Sequence, residues 1–177
     1  MSDAPKLDEL LKLYYADPRQ LAEFTPVDSA EMPRVYQELL AHEHHMTVTV
    51  ENHHGCLVDV EVLSAGQAGE YYIRKIVLRR QSDGRVVLFG IVRLQLAAVS
   101  EGVRAEILSQ RLPLGRILIQ HNVWRQIHLC QLYKVICAPE LAEIFGCAAG
   151  TTTYGRRAMI SMDHQPALQL LEIVSPE

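Results

Sequence analysis

Two long stretches of this chain alternate with period two on either side of a four-residue turn. Tyr71 to Arg80 and Arg85 to Leu96 are rich in aliphatic, aromatic and β-branched residues, and Gln81-Ser82-Asp83-Gly84 lies between them. Side chains alternate across a strand, so this pair reads as a β-hairpin that must bury at least one face. Similar patterning predicts strands at Met46–Val50, Leu57–Leu63, Trp124–Cys137, Thr152–Met162 and Leu168–Val174. Asn52-His53-His54-Gly55 is expected to turn the first of these into the second, and Asp163-His164-Gln165-Pro166 to join the last pair. Helical spacing is confined to Leu7, Leu10, Leu11 and Tyr14, to Val35, Tyr36, Leu39 and Leu40 behind Pro33, to Glu101–Ser109, and to Pro139–Phe145 before Gly146. The expectation is an α+β domain: a single six-stranded antiparallel sheet with helices on one face. It would span residues 1–177, with 1–32 as an N-terminal helical extension.

Composition narrows the function classes. The 177 residues carry 17 Lys+Arg against 21 Asp+Glu, a formal charge of -4. No basic excess draws the chain to nucleic acid, and 6% aromatic residues make a poor base-stacking platform. The polar, acidic start lacks the pattern of a signal peptide. The longest apolar run, Val86 to Val92, is far short of the ~20 residues that span a bilayer. Four cysteines without a C-x-x-C pair fit a reduced, cytoplasmic protein with no structural zinc.

The informative charges are those set on apolar faces. One face of the first long strand reads Tyr72, Arg74, Ile76, Leu78, and one face of the last reads Leu168, Leu170, Glu172, Val174. A charge inside a core costs several kcal/mol unless it is paired or used. Either Arg74 and Glu172 form a structural pair or reach solvent at an edge, or Arg74 is the counter-ion of a small anion and Glu172 a tuned acid or base. Leu112-Pro113-Leu114-Gly115-Arg116 reads as a turn whose leucine packs down or covers a ligand. Tyr154-Gly155-Arg156-Arg157 places a glycine inside a strand, a sign of close backbone approach, and sends one guanidinium to each face, one of them towards solvent.

Taken together, these elements resemble the chorismate pyruvate-lyase family between about Pro33 and Pro176. The resemblance rests on His45-Met46-Thr47, on Tyr71-Tyr72-Ile73-Arg74-Lys75-Ile76-Val77-Leu78, on Pro113-Leu114-Gly115-Arg116, and on Tyr154-Gly155-Arg156-Arg157 followed by Leu171-Glu172-Ile173-Val174-Ser175-Pro176. It implies a cofactor-independent carbon–oxygen lyase that converts chorismate to 4-hydroxybenzoate and pyruvate, with the product buried beneath flaps. Arg74 would bind the ring carboxylate and Glu172 the opposite end of the ring, both as catalytic groups. Met46 and Leu114 would surround the ring, and Arg156 and Arg157 are secondary candidates. The tail Glu172-Ile173-Val174-Ser175-Pro176 departs from the family's usual Glu-x-Phe-Leu-Pro, and Asn122 to Gly150 has no counterpart.

Two rivals accompany this expectation. His42, Glu43, His44, His45, His53 and His54 lie close in sequence. No third ligand is fixed by their spacing, so a solvated cluster is expected rather than a metal site. The same UTRA-like fold also serves as the effector domain of transcription regulators, which would bind a small anion and do no chemistry. The stretch before Pro33 is too short for a winged-helix head, which favours the enzyme. A family member acting on a different aromatic or polyene acid is the remaining alternative.

Overall fold

The computed structural model describes residues 6–177. Its centre is a seven-stranded antiparallel sheet. The strands are β1 (Ala22–Val27), β2 (Val58–Ala68), β3 (Tyr71–Arg80), β4 (Val86–Gln95), β5 (Arg125–Cys137), β6 (Thr152–Met162) and β7 (Gln165–Val174). They lie in the order β1-β5-β6-β7-β4-β3-β2. The helices are α1 (Leu7–Leu11), α2 (Arg34–Leu40), α3 (Met46–His54), α4 (Glu101–Ser109), α5 (Leu114–Gln120) and α6 (Pro139–Phe145). The α+β class and the single antiparallel sheet expected from the patterning are what the chain adopts. No helix among the described residues is long and apolar enough to cross a membrane.

Both faces of the sheet are covered, not one. Odd-numbered side chains of β4 and β7 (Phe89, Ile91, Leu171, Ile173) pack with Leu10 and Leu11 of α1 and Leu141 of α6. Even-numbered ones face the other way, in two clusters. Val92, Leu94, Leu168 and Leu170 meet α4 and α5 in one. Leu88 and Val174 join Ile76, Leu78, α2 and α3 in the other.

Three local expectations are corrected. The segment before Pro33 is more than a helical extension: besides α1 it supplies β1, which pairs with β5 over Ala22↔Cys137 to Val27↔Leu132 and makes the sheet seven-stranded rather than six-stranded. Pro26 is tolerated because β1 is an edge strand, where a missing N–H breaks no inner ladder. Met46–Val50 is helical rather than extended. Met46, Thr47 and Val50 are buried, and burial of that helical face against α2 and the sheet overrides the β-preference of the Val/Thr run. Gly55 then ends α3 at φ 65°, a left-handed cap that glycine adopts without steric cost, in place of a hairpin turn. Finally, Pro113 is not the corner of a turn but the residue that starts α5. The β6–β7 hairpin does form as expected, with Asp163 and His164 both at positive φ in a two-residue turn.

Candidate functional site

The two clusters on the even face leave a cavity of about 50 Å³ along their seam. Its floor is the sheet: Arg74, Ile76 and Leu78 from β3, Leu88, Gly90 and Val92 from β4, Ile160 from β6, and Leu170 and Glu172 from β7. Its roof is the first turn of α3, with His45, Met46 and Thr47, and the start of α5, with Pro113, Leu114 and Gly115. Arg74, Glu172, Met46 and Leu114, named from distant parts of the sequence, therefore line one space. Arg156 stands just behind Glu172. Arg157 projects from the opposite face of β6, away from the cavity, and is half-buried rather than open to solvent.

Arg74 is the unusual group. Its residue is 1% exposed, yet its Nε and Nη1 have no hydrogen-bond partner, and among the described residues it joins no ion pair. Burial pushes the guanidinium below its ordinary value, and the neighbouring Tyr72 hydroxyl acts in the opposite sense. A buried cation without a counter-ion is costly. Apolar side chains make up most of the remaining lining. His45, Met46 and Thr47 at the start of α3 line the same space; the first N–H groups of a helix lack intrahelical acceptors, and His45 supplies no side-chain cap.

Glu172 does not pair with Arg74. Its Oε2 accepts from Arg156 Nε at 2.7 Å, across the β6–β7 register. Arg156 is 1% exposed and spends its other donors on the carbonyls of His42 and His44, at 2.8 and 3.1 Å. So Glu172 and Arg156 form a neutral unit that pins the loop between α2 and α3 to the sheet. The pairing satisfies the Glu172 carboxylate and leaves Arg74 as the uncompensated charge.

The roof is held by contacts the sequence did not suggest. Arg116 of α5 pairs with Glu51 of α3, and Glu51 also accepts from the Val58 N–H at 3.0 Å. The start of α5 lies so close to α3 that a Cβ on Gly115 would sit 3.0 Å from Thr47 Oγ1 and 3.2 Å from His45 Nδ1. Gly115→Ala is expected to push the two helices apart and cost about 1–3 kcal/mol by overpacking. Urea unfolding would measure it, and an unchanged midpoint would show that the roof has slack. His45 also borders an open groove of about 660 Å³, lined by Glu43, His44, Trp124 and Arg125. Arg125 Nε donates to His45 Nε2 at 2.5 Å. Sequence reasoning placed Asn122 to Gly150 outside any motif, so Arg125 went unnoticed.

No protein-family model matches the sequence, and no curated protein is similar to it. Solved structures do share its fold. The ligand-binding domain of a putative GntR-family transcriptional regulator from Bordetella bronchiseptica superposes with a TM-score of 0.52 at 15% identity, covering 66% of this chain and 85% of that one. The effector domain of PhnF from Mycobacterium smegmatis gives 0.53 at 14% identity, over 75% and 88%. Against the longer PhnF chain the TM-score is 0.52 at 13% identity over 74% of this chain, which spans only 63% of that protein. These neighbours overturn the lyase expectation: the folds that match are ligand-binding and effector domains of regulators, and none of those cited is described as a chorismate lyase. The geometry agrees, since the carboxylate cast as acid or base is committed to Arg156. At such low identity the likeness is one of architecture, the chorismate lyase-like α+β fold that regulator effector domains share.

Proposed function

We propose that the chain is a non-catalytic effector-binding domain whose cavity takes a small organic or inorganic anion on Arg74. The observation that carries this reading is the buried guanidinium with two unpartnered donors beside a small, largely apolar space. A carboxylate or phosphate would supply the missing counter-charge and accept from the unpartnered Nε–H or Nη1–H, which lie on different edges of the guanidinium, and the N-terminal end of α3 could add backbone N–H groups. Aliphatic walls from β3, β4 and β7 suit an apolar body behind the anionic group. The regulator effector domains of like fold support the same class of task.

Size sets a second expectation. Pockets that hold drug-sized ligands span roughly 300–1,000 Å³. A cavity of about 50 Å³ admits only a small anion unless α3 and α5 move off the sheet. Binding of anything larger would thus be coupled to motion of the roof. That is how a binding event would reach the surface of the domain.

Arg74→Met separates the proposal from a structural role. The substitution removes a buried unpaired charge while keeping most of the volume. It should raise the stability of the ligand-free protein, by about 1–3 kcal/mol, and abolish ligand-dependent stabilisation. The test is a thermal-shift screen of parent and variant with phosphate, sulfate, benzoate and 4-hydroxybenzoate. No stabilisation of the parent by any anion, or equal stabilisation of the variant, would sink the reading.

A further inference from the structure

A second cluster lies at the far end of α3, outside the cavity. His53 and His54 close that helix. The segment after β7 returns to them and is fixed by its backbone: the Ser175 N–H donates to the Val87 carbonyl at 3.0 Å, and the Glu177 N–H to the Tyr36 hydroxyl at 2.8 Å. This holds the Glu177 carboxylate 3.4 Å from His53 Nε2 and 3.9 Å from His54 Nε2. One ligand atom from each residue lies within 4.8 Å of the others.

The three groups converge without bonding one another. Both nitrogen–oxygen distances exceed those of a good hydrogen bond. The rings stand edge to face, 4.7 Å between centroids, so neither covers the other. The side chains of His53, His54 and Glu177 are 28%, 10% and 27% exposed, which leaves an approach from solvent. We propose that His53, His54 and Glu177 form a binding site for a divalent transition-metal ion of the zinc class.

The donor set decides the class. Two imidazole nitrogens and a carboxylate suit zinc, nickel or copper(II), whereas calcium and magnesium take oxygen ligands. Three protein ligands leave the other positions to water. The neighbouring Arg80 cation is already neutralised by its pair with Asp83. A bound ion would clip the segment after β7 to α3, whose opposite end roofs the anion cavity.

The experiment is calorimetric titration of the tag-free full chain with zinc chloride, with thermal unfolding followed in parallel. One site is expected, with a dissociation constant tighter than about 10 µM and a melting temperature that climbs with zinc by mass action. His53→Ala and Glu177→Gln should each weaken binding at least about tenfold without moving the metal-free melting temperature appreciably. His44→Ala, in the other histidine group, should bind as the parent does. No saturable binding up to millimolar zinc would overturn the proposal. So would undiminished affinity in both variants, or equally tight binding of calcium.

Discussion

Arg156→Met should lower stability by about 3–5 kcal/mol, read as a large drop in the urea midpoint at an unchanged slope. Arg156 is 1% exposed and ties two elements to β6 at once: β7 through Glu172, and the α2–α3 loop through the carbonyls of His42 and His44. Removing it strands a carboxylate whose side chain is only 14% exposed and leaves two carbonyls without their donor. An apolar side chain of similar length cannot repair either loss. Replacing both partners, as in Arg156→Met with Glu172→Leu, removes the stranded charge along with its cause. The double variant should therefore be more stable than Arg156→Met alone, with a coupling of about 1–3 kcal/mol. Additive losses would mean that Glu172 has another partner and that its pairing with Arg156 is incidental.

This pair marks how far the sequence could be read. Alternation exposed Arg74 and Glu172 because each is a single charge on an apolar strand face. That inference needs only the strand's period and the cost of burying a charge. Alternation could not say which partner Glu172 takes. Arg156 and Arg157 are adjacent, so one must face the cavity side, but the identity of that one depends on the β6–β7 register. Met46–Val50 failed for a different reason. Five residues in which Met46, Val48 and Val50 alternate with threonines satisfy a strand pattern, and they also place Met46, Thr47 and Val50 on one helical face; tertiary burial, not local preference, decided between them. Gly55 is equally at home in a hairpin and in a helix cap. His45 and Arg125, which border the cavity and its groove, come together only because β5 runs past the start of α3, a long-range contact with no local signature.

Acid should destabilise the protein between about pH 6.5 and pH 4. Burial pushes His45 down to about 4, and the nearby Arg125, Arg156 and His44 act in the same direction. In the unfolded chain this ring titrates near its ordinary value of about 6.5. Within that window the unfolded state holds a proton that the folded state refuses. Stability from this group is thus complete above about pH 6.5, falls as pH drops, and is spent below about pH 4; the full loss is on the order of 3 kcal/mol. His42 and His54 are also lowered, chiefly by burial, and steepen the same limb. Asp17 and Asp83 are held below the usual carboxylate range by Arg19 and Arg80, so their contribution falls at lower pH and does not blur the window. His45→Gln isolates the cause. Its amide oxygen can still accept from Arg125 Nε, but it cannot take up a proton. Urea midpoints at pH 7.0 and 4.5 should lie much closer together in the variant than in the parent. An undiminished gap would assign the acid sensitivity to His42 and His54, and would leave the ring between cavity and groove without a role in it.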